Sequence, residues 1–359
     1  MASHSEPLVV HVVHSLEGGG TERALVSLLR AFDHHAMRHA VVALRNAGSL
    51  AAQLPDDVAC IAMGTVGRSR TSGLRLAKVC ARLRPSVIHA RNVCTWFDAV
   101  MARILVPGAK LVLGFHGLQS GGDFSRRDRY AARIARALDA RFTSVSENSR
   151  RQMAQQLRIP FQHIEHLPNG IDLSRFAALA TQARPRARES MSYQPHERVI
   201  GIVGSLTAVK GHEVLLDAVA ALVQTIPGIR LLIVGDGPLR RGLEASARKQ
   251  AIHDRVQFAG WREDVPALLS AMDVYVCASR SEGMSNAVME AMASGLPIVS
   301  TSVGDHPVIL RHGVDGLLVP PDDASAPRDG RNGHSRAKSL AASRAAASGR
   351  HRKFMYALA

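Results

Sequence analysis

This 359-residue sequence predicts an α/β protein of two doubly wound parallel-sheet domains facing a cleft. Three observations point there. Short β-branched apolar runs alternate with stretches of helical period, and the alternation breaks once near Pro168 before starting again. The length also exceeds what one hydrophobic core usually serves.

The first run, Leu8 to His14, is followed by Gly18-Gly19-Gly20 and then by Ala24, Leu25, Leu28, Leu29 and Phe32 at helical spacing, which reads as strand, glycine loop and helix. Further strands are expected at Ala40 to Leu44, Val58 to Ala62, Val87 to Ala90, Lys110 to Phe115 and Arg141 to Val145. Helical stretches such as Leu74 to Leu83 and Phe97 to Leu105 lie between them. Pro168-Asn169-Gly170-Ile171-Asp172 interrupts the series with turn residues, and a polar, arginine-rich stretch follows to about Arg198. A second series predicts strands at Val199 to Val203, Ile229 to Val234, Val256 to Phe258, Val274 to Cys277 and Pro297 to Ser300. Its helices are expected at Glu213 to Val223, Leu239 to Gln250, Val265 to Ala271 and Asn286 to Ala293. We divide the chain into a first domain over 1–185, a second over 186–323 and a basic ending over 324–359 that is expected to be poorly ordered.

Composition narrows the function classes. Hydrophobic residues make up 46% of the chain, and no apolar run reaches the roughly 18 residues of a membrane span. The polar start, Met1 to Pro7, and the short run after it do not form a secretory leader, so a cytoplasmic protein is expected. Cys60, Cys80, Cys94 and Cys277 are far apart without a CxxC pair, which argues against a zinc site and a disulfide framework. The net charge of +15 is uneven: residues 1–190 carry 26 Lys/Arg against 14 Asp/Glu, whereas residues 191–323 carry 11 against 15. The basic first half suits an anionic partner, either an acceptor or a membrane surface. Four Tyr and two Trp are too few for the interleaved aromatics of a single-strand nucleic-acid binder, so no nucleic acid is expected.

Several loops carry candidate chemistry. Gly18 to Gly20 ends a strand and opens a helix, so its amides suit a phosphate, although an unliganded glycine turn has the same form. The spacing is not GxGxxG, and no acidic residue ends the second strand, which lowers a dehydrogenase reading. In Val203-Gly204-Ser205-Leu206-Thr207-Ala208-Val209-Lys210-Gly211, a lysine follows a strand and precedes a helix, where an ammonium can meet a diphosphate or simply face solvent. Gly235-Asp236-Gly237-Pro238 follows the next strand. Ser281-Glu282-Gly283-Met284-Ser285-Asn286 then leads into the helix that carries Glu290, so two carboxylates flank a helix N-terminus whose amides can bind a phosphate or a hydroxyl.

Taken in order, the Gly18 to Glu22 loop, Pro168 to Asp172, Lys210-Gly211, Val234 to Pro238, and Ser279 to Pro297 with its Glu-x7-Glu spacing of Glu282 and Glu290 resemble the retaining glycosyltransferases of family 4. The resemblance runs from about Leu8 to Asp323. It implies the Rossmann-like GT-B fold and transfer of a sugar from a nucleotide diphosphate donor, UDP-linked, to a glycan or lipid-linked acceptor. Lys210 would neutralise the donor diphosphate and Glu290 would accept from ribose hydroxyls. Glu282 would hold donor-sugar hydroxyls, with amides near Gly283, Met284 and Ser285 beside it. Gly19 and Gly20 would close onto the phosphate from the first domain, while Gly204, Ser205, Gly235 and Gly237 would line the donor loops. His116, in Gly114-Phe115-His116-Gly117, matches a histidine placed near the transferred sugar. Lys210, Glu282 and His116 are therefore the expected catalytic groups, with no metal and no cofactor.

The chain departs from the family in three places. Ser205 stands where many relatives carry arginine, a contact worth about 1.5–3 kcal/mol that Arg280 or an arginine of the first domain would have to replace. Gly304-Asp305-His306-Pro307-Val308 replaces a Gly-Gly-x-Pro-Glu stretch. Beyond Asp323 the chain is rich in Ala, Arg, Ser and Gly without amphipathic period, as a change of reading frame would leave it, whereas the family continues with helices. A nucleotide-sugar epimerase on the same fold and a non-catalytic variant are the competing readings. Ser125 to Arg136, with Tyr130, Ile134 and Leu138 along one helical side, is either a membrane-surface contact or a solvated helix packed by those residues.

Overall fold

The structure is a computed structural model, and it describes residues 6–32, 36–65, 71–117, 123–177 and 183–321. The ending over 324–359 lies outside the described residues. Two compact units divide between Gly170 and Ile171, within the predicted turn. Residues 171–185, assigned to the first domain on sequence, fall in the second unit.

The first unit runs β1 (Leu8–Val13), α1 (Gly20–Ala31), β2 (Arg38–Ala43), β3 (Ala59–Ala62), α2 (Ser72–Leu83), β4 (Val87–Ala90) and α3 (Val93–Leu105). It continues with β5 (Lys110–Phe115), α4 (Arg126–Ala137), β6 (Arg141–Ser144), α5 (Glu147–Leu157) and β7 (Ile164–His166). Its parallel sheet has the order β3-β2-β1-β4-β5-β6-β7, so the winding reverses between β1 and β4. Alternate residues of each strand serve opposite faces. Val10, Val12, Ala40 and Val42 pack under α2 to α5, whereas Val13, Val41 and Ala43 pack under α1. Trp96 anchors the larger face: it is fully buried, donates from Nε1 to the Gly114 carbonyl at 2.9 Å and stacks on Phe124 with centroids 5.8 Å apart.

The second unit runs α6 (Ser174–Ala177), α7 (Arg184–Ser190), β8 (Arg198–Val203), α8 (His212–Val223), β9 (Ile229–Val234), α9 (Arg240–Lys249) and β10 (Val256–Gly260). It ends with α10 (Val265–Ala271), β11 (Val274–Cys277), α11 (Asn286–Ala293), β12 (Ile298–Thr301), α12 (His306–Ile309) and β13 (Gly316–Val319). The order β10-β9-β8-β11-β12-β13 reverses between β8 and β11. Ile200, Ile202, Leu231 and Ile233 pack against α8 and α9, and Val199, Leu232, Tyr275 and Ile298 against α10 and α11. At the opposite end from the loops after β8 and β11, buried Asp273 ties α7 to the sheet. Its carboxylate accepts from Arg184 at 2.7 Å, Arg188 at 3.3 Å and the Val199 amide at 2.8 Å.

The predicted strands and helices all form, with ends shifted by at most a few residues. The edge strands β7 and β13 are additions. Ile164-Glu165-His166 buries only its first residue, because an edge strand needs no continuous apolar run. On α4, Tyr130 is 59% exposed while Ile134 and Leu138 pack on the core, so the three do not form one outward apolar side. The four cysteines are free thiols.

Candidate active site

In a doubly wound sheet, the loops leaving the strands on either side of the reversal diverge and open a crevice at the carboxyl ends. Each unit has one such reversal, and each is lined by polar groups.

In the second unit the loops after β8 and β9 are laced together. The Leu206 amide donates to the Asp236 carbonyl at 3.0 Å, and the Leu239 amide returns to the Leu206 carbonyl at 3.0 Å. Gly235, at φ +135°, fits because a side chain there would collide with the Gly204 carbonyl. The β8 loop then closes with a 3-10 turn over Ala208–Lys210, and Gly211, at φ +65°, lies against the Ala278 carbonyl at the exit of β11. These contacts bring the Lys210 stem across the reversal to Glu282. Lys210 Nζ donates to Glu282 Oε1 at 2.6 Å, and Ser279 Oγ donates to the same oxygen at 2.6 Å. The pair is largely buried, with the two side chains 25% and 10% exposed. Burial pulls the Lys210 ammonium toward neutrality, but the Glu282 charge and hydrogen bond outweigh it and raise its pKa, so the amine stays charged.

The β12 exit braces this corner. The Asp305 amide donates to the Gly283 carbonyl at 3.0 Å, and Gly304 presses on the Glu282 and Gly283 carbonyls. Gly283 and Ser285 are buried and Met284 is half-buried, all just before α11. Ser285 makes no side-chain cap, so the helix opens without the usual hydroxyl acceptor for its first amides. Glu290 is half-buried on α11, and its charge and that of Glu282 add to the burial that pushes the Tyr275 phenol well above its usual pKa. Ser205 is exposed in the β8 loop. Arg280 bonds Glu213 at 2.8 Å and the Ala208 carbonyl at 2.5 Å, buttressing the turn that carries Lys210. Fully buried His212 follows Gly211, with both ring nitrogens lacking a hydrogen-bond partner among the described residues. Burial brings its pKa down to about 4, opposed by Glu213 and assisted by Lys210.

The first unit's reversal lies between the exits of β1 and β4. Gly18, at φ +107°, turns the chain into α1, whose N-cap Gly19 offers no side chain and whose first residue is Gly20. Across from it, Arg91 leaves β4 and is only 7% exposed. Burial lowers its pKa to about 10, against the opposing charge of Glu22 in the first turn of α1. His116 leaves β5 half-buried, and its Nδ1 has no hydrogen-bond partner among the described residues. Its pKa falls to about 3, first through burial and then through the Arg91 charge, so it is neutral in the physiological range. The sequence singles out Gly19, Gly20 and His116 but not Arg91, for which the position directly after the strand at the reversal is the available signal. Among the described residues no three His, Cys, Asp or Glu side chains gather closely enough to hold a metal ion.

Two doubly wound units, each with a polar reversal point, define the double-Rossmann GT-B class. The comparisons agree in detail. The family model described as Glycosyltransferase Family 4 matches residues 18–175, and that described as Glycosyl transferases group 1 matches residues 197–329. The chain belongs to this glycosyltransferase family. A D-inositol 3-phosphate glycosyltransferase of Segniliparus rotundus is 34% identical over 166 residues, which is 44% of this chain and 36% of that protein. The Bacillus subtilis relative designated EpsF is 28% identical over 315 residues, covering 83% of this chain and 80% of its own. Among solved structures, Anabaena Alr3699/HepE in complex with UDP-glucose superposes with a TM-score of 0.74 at 21% identity, over 88% of this chain and 86% of that one.

Proposed function

We propose that the protein transfers a sugar from a UDP-linked donor to a hydroxyl of a lipid-linked or polysaccharide-precursor acceptor, with retention of anomeric configuration. The observation that carries this reading is the Lys210 to Glu282 bond of 2.6 Å at the second sheet's reversal, beside the uncapped start of α11. An ammonium held there among glycine loops suits a diphosphate, and a carboxylate beside it suits a sugar hydroxyl.

When the donor enters, its diphosphate takes the place of Glu282 at Lys210, and the released carboxylate accepts a hydroxyl of the sugar. Glu290 serves the ribose, and the amides of Gly283, Met284 and Ser285 serve the phosphate and the sugar. As the bond from the anomeric carbon to the diphosphate breaks, negative charge grows on the leaving group. Lys210 and the α11 N-terminus stabilise that charge because they are oriented beforehand. The acceptor oxygen forms its bond on the face the diphosphate leaves, and its proton passes to a departing phosphate oxygen. Neutral His116 is assigned a hydrogen bond to a sugar hydroxyl. We assign the neutralisation of charge to these protein groups rather than to a metal ion.

The acceptor class is inferred from the helical surface of the first unit. Leu74 and Leu105 are 46% and 51% exposed and line a groove of 440 Å³ together with Arg75 and Lys78. Exposed Tyr130, Arg126, Arg129 and Arg133 lie on neighbouring α4. Apolar side chains ringed by cations suit an anionic membrane face, and work on a lipid-linked acceptor at the cytoplasmic side would use it. No helix among the described residues is long and apolar enough to cross a membrane.

The test is a panel of nucleotide sugars. Ligand at about 100 times its Kd stabilises a protein by about 2.7 kcal/mol, so the true donor is expected to raise the unfolding midpoint. NMR of the product then reads the anomeric configuration. If no nucleotide sugar stabilises the protein or is turned over, the reading is wrong.

A further inference from the structure

The stretch Gly304-Asp305-His306-Pro307 leaves β12 and supplies no side chain to the reaction proposed above, yet it sets an imidazole behind the Lys210 and Glu282 pair. His306 is fully buried. Its Nδ1 lies 2.9 Å from the Thr301 carbonyl and 2.8 Å from the Ser300 hydroxyl. A carbonyl oxygen only accepts, so Nδ1 carries the proton of the neutral ring and Nε2 presents a lone pair. That Nε2 has no hydrogen-bond partner among the described residues. A ring held in this way can change state by one route, the uptake of a proton at Nε2.

Hydrogen bonds join that ring to the site. Beyond the Thr301 carbonyl, the Thr301 hydroxyl donates to the Ser279 carbonyl at 2.6 Å, and Ser279 Oγ donates at 2.6 Å to the Glu282 oxygen that Lys210 also holds. The backbone of the same stretch grips Glu282 directly. A side chain at Gly304 would meet the Glu282 and Gly283 carbonyls at 2.5 Å, and the Asp305 amide bonds the Gly283 carbonyl. Burial pulls the His306 pKa below its usual range; the Thr301 bond and the charges of Glu282 and Asp305 oppose this, while Lys210 assists it. Lys210, Glu282 and Asp305 together leave one negative charge in excess, and a diphosphate adds about two more. Bringing anions up to a buried imidazole favours its charged form, so ligand binding should draw a proton onto the ring. His212, the other buried imidazole beside Lys210, is held at about 4 and stays neutral near pH 6.5.

We infer that His306 is a positioning residue of the transfer site, which steadies Glu282 through Thr301 and Ser279 and takes up a proton when a diphosphate occupies Lys210. Without ligand the neutral ring leaves the Lys210 and Glu282 pair closed. When the diphosphate draws Lys210 away, the imidazolium balances the carboxylate that Lys210 has left, and Glu282 stays in place for a sugar hydroxyl. Binding is therefore tighter at lower pH and weakens as pH rises through the pKa of the liganded ring. This role rests on the transferase reading, and the choice of probes separates the two.

The experiment uses the full chain with UDP and inorganic pyrophosphate, and counts protons by calorimetry in buffers of different ionisation enthalpy. His306→Asn keeps an amide that donates to the Thr301 carbonyl but does not titrate. Terminal phosphates themselves titrate near about pH 6, so the count is read as the difference between wild type and variant, in which the ligand's own protons cancel. Near pH 6.5 the wild type should take up about 0.3 to 1 proton more per UDP, and its affinity relative to the variant should rise severalfold from about pH 8 to about pH 6. A merely structural His306 predicts equal proton counts and the same loss of affinity at every pH, and that result overturns the role. If neither His306→Asn nor His306→Gln folds, nitrogen NMR of the wild type decides: an imidazole must pass from neutral to charged on addition of UDP, and unchanged imidazole signals overturn the role. UDP binding without the proton difference removes the role and leaves the transferase reading. Pyrophosphate binding with the difference, where UDP does not bind, does the reverse, and failure of both ligands to bind removes both.

Discussion

Replacing Lys210 with alanine perturbs two things at once, and the structure separates them. The first is donor binding. A charge-assisted hydrogen bond to a diphosphate is worth about 1.5–3 kcal/mol, which is a factor of about 10 to 150 in Kd. The second is the stability of the second unit. Lys210→Ala leaves the Glu282 carboxylate, 10% exposed, with Ser279 Oγ and without its cation. Breaking a buried pair from one side costs about 3–5 kcal/mol; because Lys210 is a quarter exposed, the lower figure applies. At about 2–4 °C per kcal/mol for a unit of this size, the midpoint should fall by about 6–12 °C. The double variant Lys210→Ala/Glu282→Gln removes the stranded charge and should recover most of that loss, yet it should bind UDP as weakly as the single variant. Calorimetric titration with UDP beside thermal unfolding of the three proteins reads both effects. If the double variant recovers UDP affinity, the amine acts through the fold and not on the diphosphate, and the site assignment fails.

Other expectations come from the same structure. Asp273→Ala strands Arg188 between α7 and the sheet and should cost about 3–5 kcal/mol of stability, measured by urea unfolding; a loss under about 1 kcal/mol would mean that the carbonyls bonded to Arg188 suffice. His212 is lowered to about 4 in the folded chain against 6.5 unfolded, so the unfolded state takes up its proton first as pH falls. Its contribution is complete above pH 6.5 and is lost between 6.5 and about 4, on the order of 3 kcal/mol; His212→Leu should flatten the pH–stability profile in that window, and an unchanged slope would contradict the assignment. Vesicles of anionic phospholipid should float with the protein at low salt and release it as salt screens the contact. Arg129→Glu with Arg133→Glu should abolish flotation, and full binding by that variant would place the contact elsewhere.

Part of the site is legible in the amino-acid order. Lys210, Glu282 and Glu290 stand out because their loops sit at strand exits and helix starts, and such positions follow from hydrophobic period and from glycine and proline. Arg91 does not stand out. Nothing in Ala90-Arg91-Asn92 separates a buried guanidinium from the many surface arginines of a chain that carries 45 basic residues. The partner of Arg280 is likewise open in the sequence, and the structure directs it to Glu213 and the turn carrying Lys210.

The sequence by itself determined the elements, their alternation into two series and the glycines that let loops pass close together, because these depend on neighbours within a turn or a strand. Only the tertiary structure decided which strand lies beside which. Placing β8 next to β11 joins Lys210 to a carboxylate 72 residues away, and placing β1 next to β4 sets Arg91 opposite α1. Strand order in a parallel sheet is settled by burial summed over the whole unit, and no local run of residues contains that sum.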